Sequence, residues 1–269
     1  KERLPFICEL AKAYVNVDPA KEPIPVRPTA HYTMGGIETD GKCATRMPGL
    51  YAAGECASVG LHGANRLGSN SLSEIVVFGK VAGEQAAEFA ATQQHGNTEA
   101  LAAKAEALIK QHLSLLDIDG TENPADIRNE LGMSMEAGVG IYRTEELMQG
   151  TIDKINELKA RYKKVKINDK SSVFNTDLLY AIELGYMLDV AEAMAHSAIN
   201  RKESRGSHQR LDGYEERDDV NFLKHTLSFY APEGAPTIDY SDVKITKSQP
   251  AKRVYGSEGE KQDEAKKNG

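Results

Sequence analysis

The amino-acid sequence predicts a helix-rich α+β protein. It reads as short strands with one helix, then an antiparallel helical bundle, then a small C-terminal β segment. Three observations carry this reading. Residues 49–83 pass from small apolar residues through a glycine-punctuated loop into a helical period. From about residue 97 to residue 200, apolar residues recur at helical spacing between polar outer faces. Near the C-terminus, HTLSFY at 225–230 and TIDYSDVKI at 237–245 look like two strands joined by a turn.

The elements follow in order. RLPFICELAKAYV, residues 3–15, puts Leu4, Ile7, Leu10, Ala11 and Tyr14 on one helical face, and Asp18-Pro19 is expected to end that helix. Pro23, Pro25 and Pro28 impose an extended linker as far as Thr29. Residues 31–55 are expected to form two short strands joined around Asp40-Gly41, with Leu50–Ala53 as the apolar strand end. Gly60, Gly63 and Gly68 then allow a loop to approach a ligand closely. Ser71 and Glu74 have the spacing of a capping box, which places a helix start near Ser71. Its expected inner side is Leu72, Ile75, Val76, Gly79, Ala82, Gly83 and Ala86. A helix mouth of this kind attracts anions, although an ordinary strand–loop–helix turn has the same spacing.

In the bundle region, residues 99–116 repeat Leu101, Ala105, Leu108, Ile109 and Leu113. Asn123-Pro124 is an N-cap followed by a first-turn proline, with Gly138 as the expected stop. Thr144 opens the next helix through Leu147, Thr151, Ile155, Leu158 and Tyr162. A last helix runs from about Phe174 to Asn200, with Leu178, Ile182, Leu188, Ala191 and Ala195 as core positions. Met133, Met135, Met187 and Met194 are read as core filler. Long helices with short connections suit an antiparallel bundle. Residues 256–269 are poor in apolar residues and are expected to be disordered.

Composition excludes several classes. A hydrophobic share of 40% with 27% charged residues fits a soluble globular protein, and no apolar run approaches transmembrane length. A net charge of −7 argues against a nucleic-acid partner. Cys8, Cys43 and Cys56 are scattered without CxxC spacing, which points to a reducing compartment, no disulfide framework and no metal site. Beginning with Lys1, the sequence reads as the continuation of a longer chain.

Long, non-repetitive motifs supply the functional expectation. HYTMGGIETD at 31–40, GLYAAGE at 49–55, HGANRLGSNSLSEIVVFG at 62–79, RKESRGSHQRLD at 201–212 and RDDVNFLKHTL at 217–227 together resemble the succinate dehydrogenase/fumarate reductase flavoprotein family. SVGLHGANRLGSNSL with Glu74 is more similar to the bacterial fumarate reductase branch. The resemblance implies a C-terminal portion of such a subunit, carrying a partial FAD-binding domain. Residues 1–28 would end a capping domain and its linker, and 29–92 would be the returning part of the FAD-binding domain. A helical domain at 93–215, a C-terminal segment at 216–255 and the tail would follow.

The implied activity is reduction of fumarate to succinate, with FAD as cofactor and hydride transfer from the flavin. By resemblance, His31 and Arg66 bind the dicarboxylate, while Glu55, Arg66, Ser71 and Leu72 line the FAD. Arginine suits this role because its planar fork matches a carboxylate, and imidazole can donate to a second one. His62 would touch flavin or substrate, or brace the loop. No catalytic proton donor is assigned, because the family's lies N-terminal to these motifs, and no G-x-G-x-x-G occurs to grip the ADP half of FAD. On that basis the chain alone is expected neither to hold FAD tightly nor to reduce fumarate. The implied partners are an iron-sulfur subunit and, through it, membrane anchor subunits, on the cytoplasmic face of the bacterial inner membrane. An L-aspartate oxidase-like flavoenzyme and a non-catalytic helical module docking the iron-sulfur subunit are the alternatives. Arg205, His208, Arg210, Arg217, Asp218 and Asp219 are read as a structural network pinning the C-terminal segment.

Overall fold

Three helices bury one another's apolar stripes and make the main core. They belong to a computed structural model that describes residues 3–94, 96–247 and 249–251. The expected disorder of 256–269 falls outside those residues. Residues up to Val59 with Arg66–Gln93 form one compact unit; Gly60–Asn65 with the chain from Gln94 onward form a second.

In the first unit, α1 (Pro5–Val15) begins on a proline and stops at Asn16, before the Asp18-Pro19 stop expected from sequence. Asn16 takes the left-handed conformation (φ 53°), and Val17 N–H reaches back to the Ala11 carbonyl at 3.2 Å. The strands also differ from expectation. β1 (Ile37–Glu38) pairs in parallel with β2 (Ala57–Ser58), and Asp40-Gly41 is not a hairpin turn. Asp40 bends the chain locally, its Oδ1 accepting from Lys42 N–H at 2.8 Å and Ala44 N–H at 2.9 Å. Reversal comes later, at Met47-Pro48-Gly49-Leu50, where Leu50 N–H donates to the Met47 carbonyl at 3.1 Å and Gly49 has φ 84°. Proline then glycine in the middle of a turn is the type II signature. Leu50–Ala53 therefore runs back antiparallel beside residues 43–45, with a single bridge between Ala44 and Tyr51, and is not a full strand. Gly36 is required where β1 meets β2, since a Cβ there would lie 2.5 Å from the Cys56 carbonyl oxygen.

Helix α2 (Asn70–Thr92) departs from expectation twice. It starts at Asn70 behind Ser69, which has φ 66°, so Ser71 lies inside the first turn and the Ser71–Glu74 capping box does not form. Its sheltered stripe is also rotated. Ser71, Glu74, Phe78, Val81, Ala82, Gln85, Ala86 and Phe89 are buried or half-buried, while Leu72, Ile75 and Val76 are exposed. Glu74, only 2% exposed, is the centre of that stripe.

In the second unit, α3 (Thr98–Leu113) is capped by Asn97 but buries no residue. Leu101, Leu108, Ile109 and Leu113, expected in the core, are exposed. The bundle proper is α4 (Pro124–Val139), α5 (Glu145–Tyr162) and α6 (Thr176–Asn200). Asn123, Thr144 and Asn175 cap the three helices through side-chain oxygens that accept first-turn N–H groups. The core joins Ile127, Leu131, Met148, Ile152, Ile155, Leu158, Leu184 and Leu188 with alanines of α6. Met133, Met187 and Met194 are exposed, and Met148 is the buried methionine of this core. Gly138 is the buried penultimate residue of α4, where a Cβ would meet Thr151 Oγ1 at 2.1 Å, and the stop falls two residues later at the C-cap Gly140. Two short parallel strands unseen in the sequence, β3 (Tyr142–Arg143) and β4 (Gln209–Arg210), tie the α4–α5 connection to the segment after α6. The expected C-terminal strands are present as the antiparallel pair β5 (Lys224–Phe229) and β6 (Thr237–Asp242).

Candidate active site

Two of the residues singled out from sequence, Glu55 and Arg66, meet the tripeptide His31-Tyr32-Thr33 on the approach to β1. His31 is exposed. The ring of its neighbour Tyr32 lies beneath Arg66, whose guanidinium carbon is 4.4 Å from the ring centroid. Thr33 N–H donates to Glu55 Oε1 at 2.9 Å. The Tyr32 hydroxyl donates to Glu74 Oε2 at 2.9 Å, which attaches the tripeptide to the first turns of α2, where Ser71 and Leu72 lie. Glu55 and Arg66 touch the tripeptide directly, whereas His31, Ser71 and Leu72 are related to it through chain neighbours.

The electrostatics suit an anion. Arg66 donates from Nη1 to the Leu67 carbonyl at 3.3 Å, and its buried Nε has no hydrogen-bond partner. A guanidinium with an unused buried donor is prepared for an acceptor from outside. Burial, then the hydrogen bond and charge of Glu74, push the Tyr32 hydroxyl up to about 12, so it remains a neutral donor. At the mouth of α2 no side chain caps the helix and no acidic residue stands in the first turn. The positive end of the helix is left to an outside acceptor, with exposed Leu72 offering an apolar face beside it. These features fit the ring end of a flavin.

Sequence reasoning missed Tyr32 and read Glu74 as a cap. No local pattern marked Glu74 as inward-pointing, because its partner Tyr32 lies 42 residues earlier in the chain.

The charged cluster after α6 is a structural network, as expected. Glu203, fully buried, is paired with Arg201 and with Arg205, whose Nε lies 2.8 Å away. Arg210, 1% exposed, donates to both Asp212 oxygens at 2.8 and 2.7 Å. Arg205 and Arg217 share Asp219. The same segment grips the glycine loop: Ser207 N–H and Oγ–H both donate to the Ala64 carbonyl, at 3.0 and 2.9 Å. Among the described residues, no group of His, Cys, Asp or Glu could hold a metal ion.

Comparison with known proteins decides the family. Residues 128–255 match the family described as fumarate reductase flavoprotein C-term, and residues 1–72 match an FAD binding domain. A fumarate reductase flavoprotein subunit from a Serratia strain is 68% identical over 99% of this chain. The chain belongs to the succinate dehydrogenase/fumarate reductase flavoprotein family. It spans 45% of the length of that Serratia relative. A mutant E. coli quinol fumarate reductase of known structure superposes with a TM-score of 0.91 at 69% identity, covering 94% of this chain and 44% of that one. A succinate dehydrogenase flavoprotein subunit from Rickettsia bellii, at 41% identity over 94% of this chain and 45% of its own length, is more distant. Within this family, the strip that joins His31, Glu55, Arg66 and the start of α2 lies in and just beyond the stretch matched as an FAD binding domain.

Proposed function

We propose that this chain carries the dicarboxylate-binding part of a flavoprotein that reduces fumarate to succinate. One observation supports it most: Arg66 rests on the ring next to His31 with a buried, unused Nε donor. In this reading Arg66 binds one carboxylate of fumarate and His31 donates to the other. Holding both ends flat draws electron density out of the double bond and stabilises the charge that develops during reduction. Glu55, Arg66, Ser71 and Leu72 would hold FAD, with the positive end of α2 favouring negative charge on the ring. Bound reduced FAD supplies the hydride to one alkene carbon, and an acid protonates the neighbouring carbon. That acid is assigned to no residue of this chain.

The electrons would reach the flavin through an iron-sulfur partner subunit, itself seated on membrane anchors, with this polypeptide peripheral on the cytoplasmic face. Among the described residues no helix is long and apolar enough to cross a membrane. The greater identity to fumarate reductase than to succinate dehydrogenase subunits favours fumarate as the substrate.

The test is made on a polypeptide of the relatives' length bearing this sequence. Arg66→Ala and His31→Ala are each expected to abolish fumarate reduction, and His31→Ala, which is placed on the substrate alone, should do so with flavin content at the unsubstituted level. Undiminished turnover in either variant, or oxidation of aspartate in place of fumarate reduction, would overturn the reading.

A further inference from the structure

We propose that Tyr32, held by Glu74, is a positioning residue that sets the plane of the Arg66 guanidinium for the substrate carboxylate. The inference rests on the function proposed above and adds a residue to it. A guanidinium meets a carboxylate through two parallel hydrogen bonds only when its plane is fixed in advance. The chain around Arg66 does little to fix it. Asn65 and Leu67 are exposed, Gly63 and Gly68 flank the segment, and the hydrogen bond from Nη1 goes to the adjacent residue's carbonyl. What lies against the guanidinium is the Tyr32 ring, at 4.4 Å from centroid to Cζ. A cation over an aromatic face is attracted by the ring quadrupole, and stacking also selects the orientation of the guanidinium plane.

The ring in turn is fixed on a rigid element. Tyr32 donates its hydroxyl to Glu74 Oε2 at 2.9 Å, and Glu74 is 2% exposed within α2. The order of support runs from helix to carboxylate, from carboxylate to phenol, from ring face to guanidinium. It explains why an acidic residue is buried near the start of a helix that has no acidic side chain in its first turn to serve as a cap. It also gives His31 and Arg66 a common reference, because His31 precedes Tyr32 directly in the chain.

The test uses the full-length holoenzyme, with malonate as a non-reacting dicarboxylate and flavin absorbance as the reporter. Tyr32→Leu is expected to raise the Kd for malonate and the KM for fumarate roughly three- to thirtyfold, with kcat changed far less. Tyr32→Phe, which keeps the ring face but loses the hydroxyl bond to Glu74, should recover only part of that loss. Phenylalanines of increasing fluorination at position 32 hold the shape while draining the ring's quadrupole, so malonate affinity should fall stepwise along the series. A flat series, or a Tyr32→Leu protein that binds malonate normally, would overturn the proposal. Arg66→Ala separates the two readings. If it binds malonate normally, the functional assignment itself fails; if it loses binding while the Tyr32 series stays flat, only the positioning role fails.

Discussion

Arg143 Nη1 and His208 Nδ1 lie 2.7 Å apart in the interior of the second unit. A guanidinium can only donate, so His208 accepts at Nδ1 and carries its proton on Nε2, which donates to the Arg201 carbonyl at 3.0 Å. Burial, with the charges of Arg143, Arg210 and Arg201, pushes this imidazole down to about 4, against the raising effect of its hydrogen bond to Arg201. A neutral histidine therefore serves as a joint between the α4–α5 connection and the segment after α6.

That joint makes stability depend on pH. The folded-state value lies below the ordinary 6.5, so as pH falls the unfolded chain takes up the proton first. The contribution of His208 is complete above about pH 6.5 and is lost as pH falls toward 4, to the extent of about 3 kcal/mol. Asp212, Asp218 and Asp219 are held below the usual carboxylate range by hydrogen bonds, so their contributions fade only at lower pH. Denaturant unfolding at pH 7.5 and pH 5 should show the loss, and His208→Gln should flatten the slope between them. An equal slope in both proteins would refute it.

Glu203 is the second pivot of this region. It lies between Arg201 and Arg205 and accepts the Asp218 N–H at 2.9 Å. Glu203→Ala leaves half-buried Arg201 without its carboxylate and Arg205 with the Asp219 carboxylate in place of two, and a loss of about 3 kcal/mol, the low end for breaking a buried pair, is expected. A thermal unfolding curve reports it directly; a Tm within a degree or two of the parent would show that the network is dispensable.

Glycines inside the bundle should behave in opposite ways. Gly138→Ala would place a methyl 2.1 Å from Thr151 Oγ1 and 2.5 Å from the Leu147 carbonyl oxygen, where α4 and α5 approach. The strain of overpacking is expected to cost about 1–3 kcal/mol and to outweigh alanine's better helix propensity. Gly150, exposed in α5, has nothing within 4 Å of an added Cβ. Gly150→Ala should therefore stabilise by about 0.5–1 kcal/mol. Equilibrium unfolding of the two variants checks the opposite signs.

The grip on the glycine loop gives a local readout. Gly206 has φ 59°, and a Cβ on it would lie 2.5 Å from the Ala64 carbonyl oxygen that Ser207 holds. Gly206→Ala should release residues 60–65, seen as faster amide exchange there. Ser207→Ala keeps the backbone N–H bond and should loosen the loop less, by about 1 kcal/mol. Equal exchange in both variants would argue against this clamp.

The sequence by itself determined what depends on near neighbours. Asn123, Thr144 and Asn175 mark helix starts because a short polar side chain reaches N–H groups two or three residues on. The segments that form β5 and β6 were legible as two strands joined by a turn, and Pro48-Gly49 carried a turn signal that the earlier Asp40-Gly41 masked. His31 and Arg66 were singled out through the long motifs they share with the family rather than by residue type alone. Only the tertiary structure decided which side of a helix faces inward when polar and apolar residues are mixed. It turned Glu74 and Phe78 inward in place of Ile75 and Val76, and left the apolar face of α3 exposed. It also decided the two-residue parallel pairings β1–β2 and β3–β4, and the stacking of Arg66 on Tyr32. Such contacts join segments distant in the chain. Their free energy comes from partners that no local window contains, so periodicity and propensity carry no trace of them.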